Sequence, residues 1–279
     1  MSAAALASPP ALSPAQHSQY LLRLADNALV LGQRLAEWCG HGPILEEDLS
    51  LTNTALDLIG QARLLYTHAG QVEARDGRAQ PRTEDDFAYW RNEGEFRNWT
   101  LCELSNAALA GGAVHQDLDY AVSIARNFLY SALMVELWDR LQQSADTELA
   151  AIAAKFVKEA RYHLRHAAGW VVRFGDGTAE SRGRVQAALA HLLPYMNEVF
   201  RADALEQAAA ASGVGVDPSS LQDAWLATVQ NVLAEATLPL PDATPAFLST
   251  GKSGAHSEHM DYLLAEMQSL ARQHPGATW

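Results

Sequence analysis

The sequence predicts an all-α fold: an antiparallel four-helix bundle with additional C-terminal helices. Apolar residues recur at spacings of three and four in four long segments, whereas few runs alternate with period two. Two connections between these long segments are short and contain glycine, proline or small polar residues. Long helices joined by short loops pack as antiparallel neighbours, so two such hairpins build a four-helix bundle.

Each predicted helix follows from its start and stop signals. The first ends at the sequence Gly-His-Gly-Pro, residues 40–43, because glycine terminates a helix and proline cannot continue it. The second opens with Glu46, Glu47 and Asp48, acids that the helix dipole favours in a first turn. In chain order, the predicted helices are residues 18–39, 45–72, 87–90, 101–110, 116–143, 147–174, 182–211, 218–237 and 257–273.

Composition bounds the class of protein. The 279 residues carry 33 acidic and 20 basic side chains, a net charge of −13. Binders of nucleic acid or anionic membranes concentrate Lys and Arg, so neither partner is expected. We expect a disordered tail over residues 1–16 and a single helical domain over residues 17–279.

The expected location is the cytoplasm. The N-terminal stretch lacks the charged and apolar regions of a signal peptide, and no stretch reaches the roughly 18 apolar residues of a membrane span. Cys39 and Cys102 lie in apolar helical contexts without a C-x-x-C spacing. We therefore predict two buried free thiols in a reducing compartment.

Glu159 and His163 lie on one helix as a metal-binding carboxylate and imidazole would in a di-iron bundle. A complete di-iron site in a ferritin-like bundle needs one Glu from each of two helices and a Glu-x-x-His pair from each of the other two. Here Leu58 and Gln61 occupy the positions of a second Glu-x-x-His pair. His163 also follows Glu159 by four residues rather than three.

The expected central layer is short of ligands. Counting from the hairpin loops places Asp57 within about one turn of Asp26, and it places Glu159 level with residues 130–131, where there is no acid. Asp26, Asp57, Glu159 and His163 are then the only candidates, against six side chains in a complete site. The sequence therefore favours a bundle that holds no di-iron centre.

A polar network is predicted in place of the metal. Buried charges persist only when they are paired and hydrogen-bonded, so we expect Asp with Arg or Lys, and His with Glu. Asp57 and Glu159, flanked by apolar neighbours, are predicted to be buried. The members of this network are Asp26, Asp57, Gln61, Lys155, Glu159 and His163.

Residues 251–256 form a predicted flexible loop that carries a cation, Lys252. His256 and His259 follow at the start of the last helix, and no third metal ligand lies near them in sequence. A structural or interface role is therefore expected for both histidines. Lys252, His256 and His259 are our candidates for contact with a partner.

Three segments, residues 23–66, 152–178 and 251–279, resemble the C-subunit family of the bacterial ring 1,2-phenylacetyl-CoA epoxidases, and the similarity spans about residues 17–279. The resemblance implies a non-catalytic, ferritin-like structural subunit without a cofactor. Its partner is then a homologous A subunit that holds the di-iron site and the CoA thioester, along with other subunits of the complex. The resemblance also implies NADPH-dependent, O2-dependent epoxidation of the phenylacetyl-CoA ring in aerobic phenylacetate degradation, with electrons from a reductase subunit that carries FAD and an iron–sulfur cluster.

Two alternatives remain at this point. The chain could be an active di-iron carboxylate oxygenase that uses Asp26, Asp57, Glu159 and His163 with substitute ligands. It could also be a helical binding or regulatory protein unconnected with oxygenases.

Overall fold

The computed structural model describes residues 11–75, 77, 80–107, 118–244 and 248–277. These residues contain helices and no β-strand, which confirms the predicted all-α class. None of their helices is both long and apolar enough to cross a membrane. The α-helices are α1 Pro14–Ala36, α2 Leu45–Ala74, α3 Glu84–Tyr89, α4 Thr100–Glu103, α5 Tyr120–Leu141, α6 Thr147–Asp176, α7 Ala179–Leu192, α8 Met196–Phe200, α9 Ala204–Ala211, α10 Gln222–Glu235 and α11 Glu258–Gln273.

The first helix begins earlier than predicted. Pro14 occupies the first turn of α1, where its missing N–H costs nothing, and the Ser13 hydroxyl accepts a hydrogen bond from the backbone N–H of Gln16 at 3.2 Å. The predicted disordered tail is therefore wrong for residues 14–16, which are helical. Residues 1–10 of that tail lie outside the described part of the chain.

The four long helices form the predicted bundle with one long crossover. In the first hairpin Tyr66 reaches back to Asp26, and in the second the rings of Trp138 and Phe156 lie 5.3 Å apart. Tyr120, at the start of α5, contacts Glu47, at the start of α2, so these two helices run parallel. The connection from α2 to α5 must then return along the bundle, as it does in ferritin-like folds.

The crossover covers α1. The Asn27 side-chain oxygen accepts a hydrogen bond from the Trp99 backbone N–H at 2.6 Å, and Arg34 donates to the Glu103 carbonyl at 2.8 Å. Both α1 side chains are buried although they are polar. Because the crossover packs on the side of α1 that faces away from α2, polar residues on that side need partners within the protein.

The C-terminal part is more broken than predicted. Instead of one helix over residues 182–211, the chain forms α7, α8 and α9, with a 3-10 turn at Leu193–Tyr195. Pro194 supplies no N–H for a continuous helix, and Asp203 caps a new start by accepting from the Glu206 N–H at 2.9 Å. α10 then packs on α5 through a hydrogen bond of 3.0 Å from the Trp225 indole to the Leu129 carbonyl.

The two cysteines are free, but only Cys102 is buried. Cys39 is exposed, so the prediction of a buried thiol at this position is wrong. The reason is local: α1 ends at Ala36, and Cys39 lies in the turn that follows.

Candidate functional site

Asp26 and Asp57 lie at different heights in the bundle. Tyr66 of α2 donates to Asp26 at 2.6 Å, while Gly32 of α1 faces Leu58. By the Gly32–Leu58 contact, Asp57 is level with about residue 33 of α1, about seven residues or ~10 Å along the bundle from Asp26. The prediction that they share a layer is wrong, because the centre of the hairpin lies nearer residue 45 than residue 43.

Asp26 is fully buried and paired with an arginine of the crossover. Its carboxylate accepts two hydrogen bonds from the Arg91 guanidinium, one from the Tyr66 hydroxyl and one from the Arg97 backbone N–H at 2.8 Å. Burial alone lowers the pKa of Arg91, but Asp26 outweighs it and raises the pKa. The predicted type of pair is present, and its cation lies 65 residues away in sequence.

The other predicted residues meet across the groove between α2 and α6. The His163 Nε2 lies 3.0 Å from the Asp57 carboxylate, and the Gln61 amide donates to Glu159 at 2.9 Å. The Lys155 ammonium lies 3.9 Å from Glu159. The predicted pairing of histidine with a carboxylate therefore occurs, with Asp57 rather than Glu159 as the acid.

This network lies at the rim of the bundle. His163 and Gln61 are buried, whereas the side chains of Asp57, Glu159 and Lys155 are 42%, 22% and 60% exposed. The predicted burial of Asp57 and Glu159 is therefore wrong. Both carboxylates retain contact with water, which lowers the cost of their charge.

These residues do not fit a di-iron centre. The donor atoms of Asp57, Glu159 and His163 do not all come within 4.8 Å of one another in the described part of the chain. Asp26 is separated from them and already neutralised by Arg91. On α5, Asp139 points outward to an exposed pair with Arg161 at 3.1 Å. The carboxylates that two iron ions require do not converge here.

Lys252 is not a free cation. Its ammonium is buried and lies 2.8 Å from the Glu206 carboxylate, which also contacts Arg23 at 3.2 Å. The prediction that the loop presents this cation to a partner is therefore wrong. The Lys252–Glu206 ion pair instead holds residues 251–256 against the start of α9.

His256 is also occupied within the chain. Its Nδ1 lies 2.7 Å from the Glu103 carboxylate, and its Nε2 lies 3.2 Å from the Phe96 carbonyl. Both partners are acceptors, so this environment favours a ring that donates from both nitrogens. Burial lowers the pKa of His256, but Glu103 reverses this and raises it. Only His259 of the three loop candidates keeps a partly exposed side chain without such a pair, and its contact with a partner stays a prediction.

A different surface is open for contact. Leu45, Leu49 and Leu56 of α2 are 70%, 54% and 60% exposed. Their spacings of four and seven place them on one side of the helix. We call these three residues the α2 apolar face. Several exposed leucines on one side of a helix are candidates for an interaction site.

Comparison with known proteins identifies the family of this chain. Residues 2–279 match the sequence model of a family described as phenylacetic acid catabolic protein. This chain belongs to that family. Across 264 residues it is 44% identical to the C subunit of the 1,2-phenylacetyl-CoA epoxidase of Escherichia coli (strain K12), a match that covers 95% of this chain and 99% of the relative.

Membership in the phenylacetic acid catabolic protein family confirms the resemblance and counts against a helical protein unconnected with this chemistry.

One cluster of possible metal ligands is not explained by family membership. His17, His68 and Asp146 come together at one end of the bundle, with donor atoms within 4.8 Å of one another. Sequence reasoning missed them, because 129 and 78 residues separate the two histidines from Asp146 and no local pattern links them.

Proposed function

We propose that this family member is a non-catalytic structural subunit of a phenylacetyl-CoA epoxidase complex. In this role it binds a homologous A subunit, whose di-iron site epoxidises the phenylacetyl-CoA ring with O2 in aerobic phenylacetate degradation. A reductase subunit with FAD and an iron–sulfur cluster supplies electrons from NADPH. This chain contributes no cofactor to the reaction. The name of the 44% identical Escherichia coli relative supports the assignment.

The α2 apolar face is the observation on this chain that carries the proposal. Obligate subunit interfaces typically bury more than about 2,000 Å² and are strongly apolar. A helix with leucines on the outside as well as the inside suits a position between its own bundle and a second one. Packing on this face lets the chain hold the helices of its partner in place without donating a residue to the reaction.

Co-purification with the di-iron homologue from the same organism tests the proposal. Leu49→Glu places a charge on the α2 apolar face, and Leu270→Glu is the matched control on α11, because the two leucines are 54% and 55% exposed. We expect Leu49→Glu to weaken association at least tenfold, about 1.4 kcal/mol, while the control assembles normally. Equal assembly of both variants would remove this face from the interface.

The alternative of an active di-iron oxygenase makes a different prediction. Because Asp26 is held by Arg91 and does not meet Asp57, anaerobic loading with Fe²⁺ should leave the chain without two bound irons. Elemental analysis after desalting measures this. Two irons per chain with an oxo-bridge absorption band would contradict the proposed structural role.

A further inference from the structure

Two histidines and one aspartate converge where three bundle helices meet. The Nε2 atoms of His17 and His68 lie 2.7 and 2.5 Å from one and the same oxygen, Oδ2 of Asp146. His68 is buried, and the side chains of His17 and Asp146 are 16% and 7% exposed. The cluster therefore joins both hairpins of the bundle at one end.

The helices fix the direction of all three side chains. His17 lies in the first turns of α1, His68 near the end of α2, and Asp146 is the N-cap of α6. The other carboxylate oxygen of Asp146, Oδ1, accepts from the N–H groups of Glu148 and Leu149 at 3.0 and 3.2 Å. Capping therefore holds Oδ1 and leaves Oδ2 directed at the imidazoles.

The hydrogen bonds of this cluster are incomplete. The Nδ1 atom of His68 is buried and has no hydrogen-bond partner within the described residues. A cavity of about 410 Å³, which His17, His68 and Asp146 help to line, opens beside the cluster. Glu148 and Arg75 line the same cavity and contribute opposite charges. Water in this cavity can therefore approach the cluster.

This donor set matches the ligand preference of divalent first-row metals. Two imidazoles and one carboxylate, with a further position open to water, are typical ligands of Zn²⁺ and Fe²⁺. Metal–nitrogen distances of about 2.0–2.1 Å need donor atoms about 3.3 Å apart in a tetrahedral site. The two histidine nitrogens must each move away from Oδ2 by less than about 1 Å to reach that spacing.

We propose that His17, His68 and Asp146 bind one divalent transition-metal ion of the zinc class, with water from the cavity as the fourth ligand. Each histidine presents the lone pair of Nε2 to the ion. In His68 the ring proton then resides on Nδ1, the atom that has no partner among the described residues. The ion links the two hairpins at this end of the bundle. This site is independent of the proposed subunit role.

Titration of the tag-free full-length chain with Co²⁺, followed by its visible absorption bands and by competition with Zn²⁺, tests the site. We expect one ion per chain. His17→Gln and Asp146→Asn should each weaken binding at least about tenfold, since even residues behind the ligands often cost that much. His41→Gln, an exposed histidine outside the cluster, is the matched control and should bind normally.

Thermal unfolding gives a second readout. Zn²⁺ should raise the unfolding midpoint of the wild type and of His41→Gln, and EDTA should return it. His17→Gln should show little of this shift. His17 is partly exposed, so its variant is expected to fold, which circular dichroism checks. The site is refuted if the wild type binds no stoichiometric ion, or if His17→Gln and Asp146→Asn bind Co²⁺ as the wild type does.

Discussion

Arg91→Met removes the cation that neutralises a fully buried carboxylate of the bundle, Asp26. Asp26 is 0% exposed, and the Arg91 guanidinium provides two of its hydrogen bonds. Methionine retains much of the volume that packs over the Phe96 ring, 4.1 Å from the guanidinium carbon. The substitution therefore tests the loss of charge more than the loss of packing.

The expected loss is about 3–5 kcal/mol, because removing one partner of a buried pair leaves the other charge uncompensated. Domains of ordinary stability have a free energy of unfolding of about 5–15 kcal/mol, so the variant should lose a large fraction of its stability. Glu159→Ala is the contrast. Its cation, Lys155, is 60% exposed at 3.9 Å, and such surface pairs are worth about 0–1 kcal/mol. The lost hydrogen bond from the Gln61 amide adds about 1 kcal/mol. If Glu159 were buried, as the sequence predicts, Glu159→Ala would lower the free energy of unfolding by about 3–5 kcal/mol. In the structure the buried ion pair is that of Arg91, so the large decrease is expected for Arg91→Met instead.

Urea denaturation of the two variants, Asp26→Asn and the Asp26→Asn/Arg91→Met double variant measures these losses. Since the neutral amide leaves no stranded charge, Asp26→Asn should recover part of the stability that Arg91→Met loses. The two free energies must therefore be non-additive. An Arg91→Met loss below about 1 kcal/mol, or strict additivity, would refute the claim that a buried ion pair holds the crossover on the bundle.

Two further predictions concern pH and backbone packing. Because Glu103 raises the pKa of His256, the stabilisation by this pair is complete below the unfolded pKa of about 6.5 and is lost as pH rises through the folded pKa. The His256→Gln variant should therefore show a flatter dependence of unfolding free energy on pH above about 6.5, and parallel wild-type and variant curves would contradict the pair. On α2, a Cβ at Gly70 would overlap the Arg82 carbonyl oxygen, so Gly70→Ala should lower the free energy of unfolding by at least about 1–3 kcal/mol. A Cβ at Gly60 would meet nothing within 4 Å, so Gly60→Ala should be neutral or stabilise the protein by up to about 1 kcal/mol. Thermal or urea unfolding compares the two alanine variants, and equal effects would show that the close approach at Gly70 relaxes freely.

The bundle was predictable because its long helices carry their own signals. The Gly-His-Gly-Pro stop separates α1 from α2, and apolar periodicity places the end of α2 within two residues of its observed end at Ala74. The last of the additional helices is likewise only one residue from its predicted start. The break of the predicted helix 182–211 was less visible, because Pro194 and the Asp203 cap compete with apolar periodicity that continues through both.

The polar contacts were less predictable than the helices. The sequence names Asp26, yet its partner Arg91 lies in the crossover, whose path no local pattern determines. The relative heights of Asp26 and Asp57 along the bundle were predicted wrongly. An error of two residues in the centre of the hairpin shifts facing residues past one another by about four residues, or about 6 Å. Lys252 and His256 were misjudged for a related reason, since a glycine-rich segment suggests a free loop when its long-range ion pairs are unknown.

The groove between α2 and α6 shows how polar side chains at the rim of the bundle are paired within the chain. A di-iron site gathers several carboxylates around two cations, so the bundle depends on those cations for charge balance. Here His163 joins Asp57 and Gln61 joins Glu159 directly, each pair linking the two hairpins. The two acids also sit at the rim, where water reaches them. Direct hydrogen bonds and partial exposure together account for the charges at these four positions by contacts within the chain and with water.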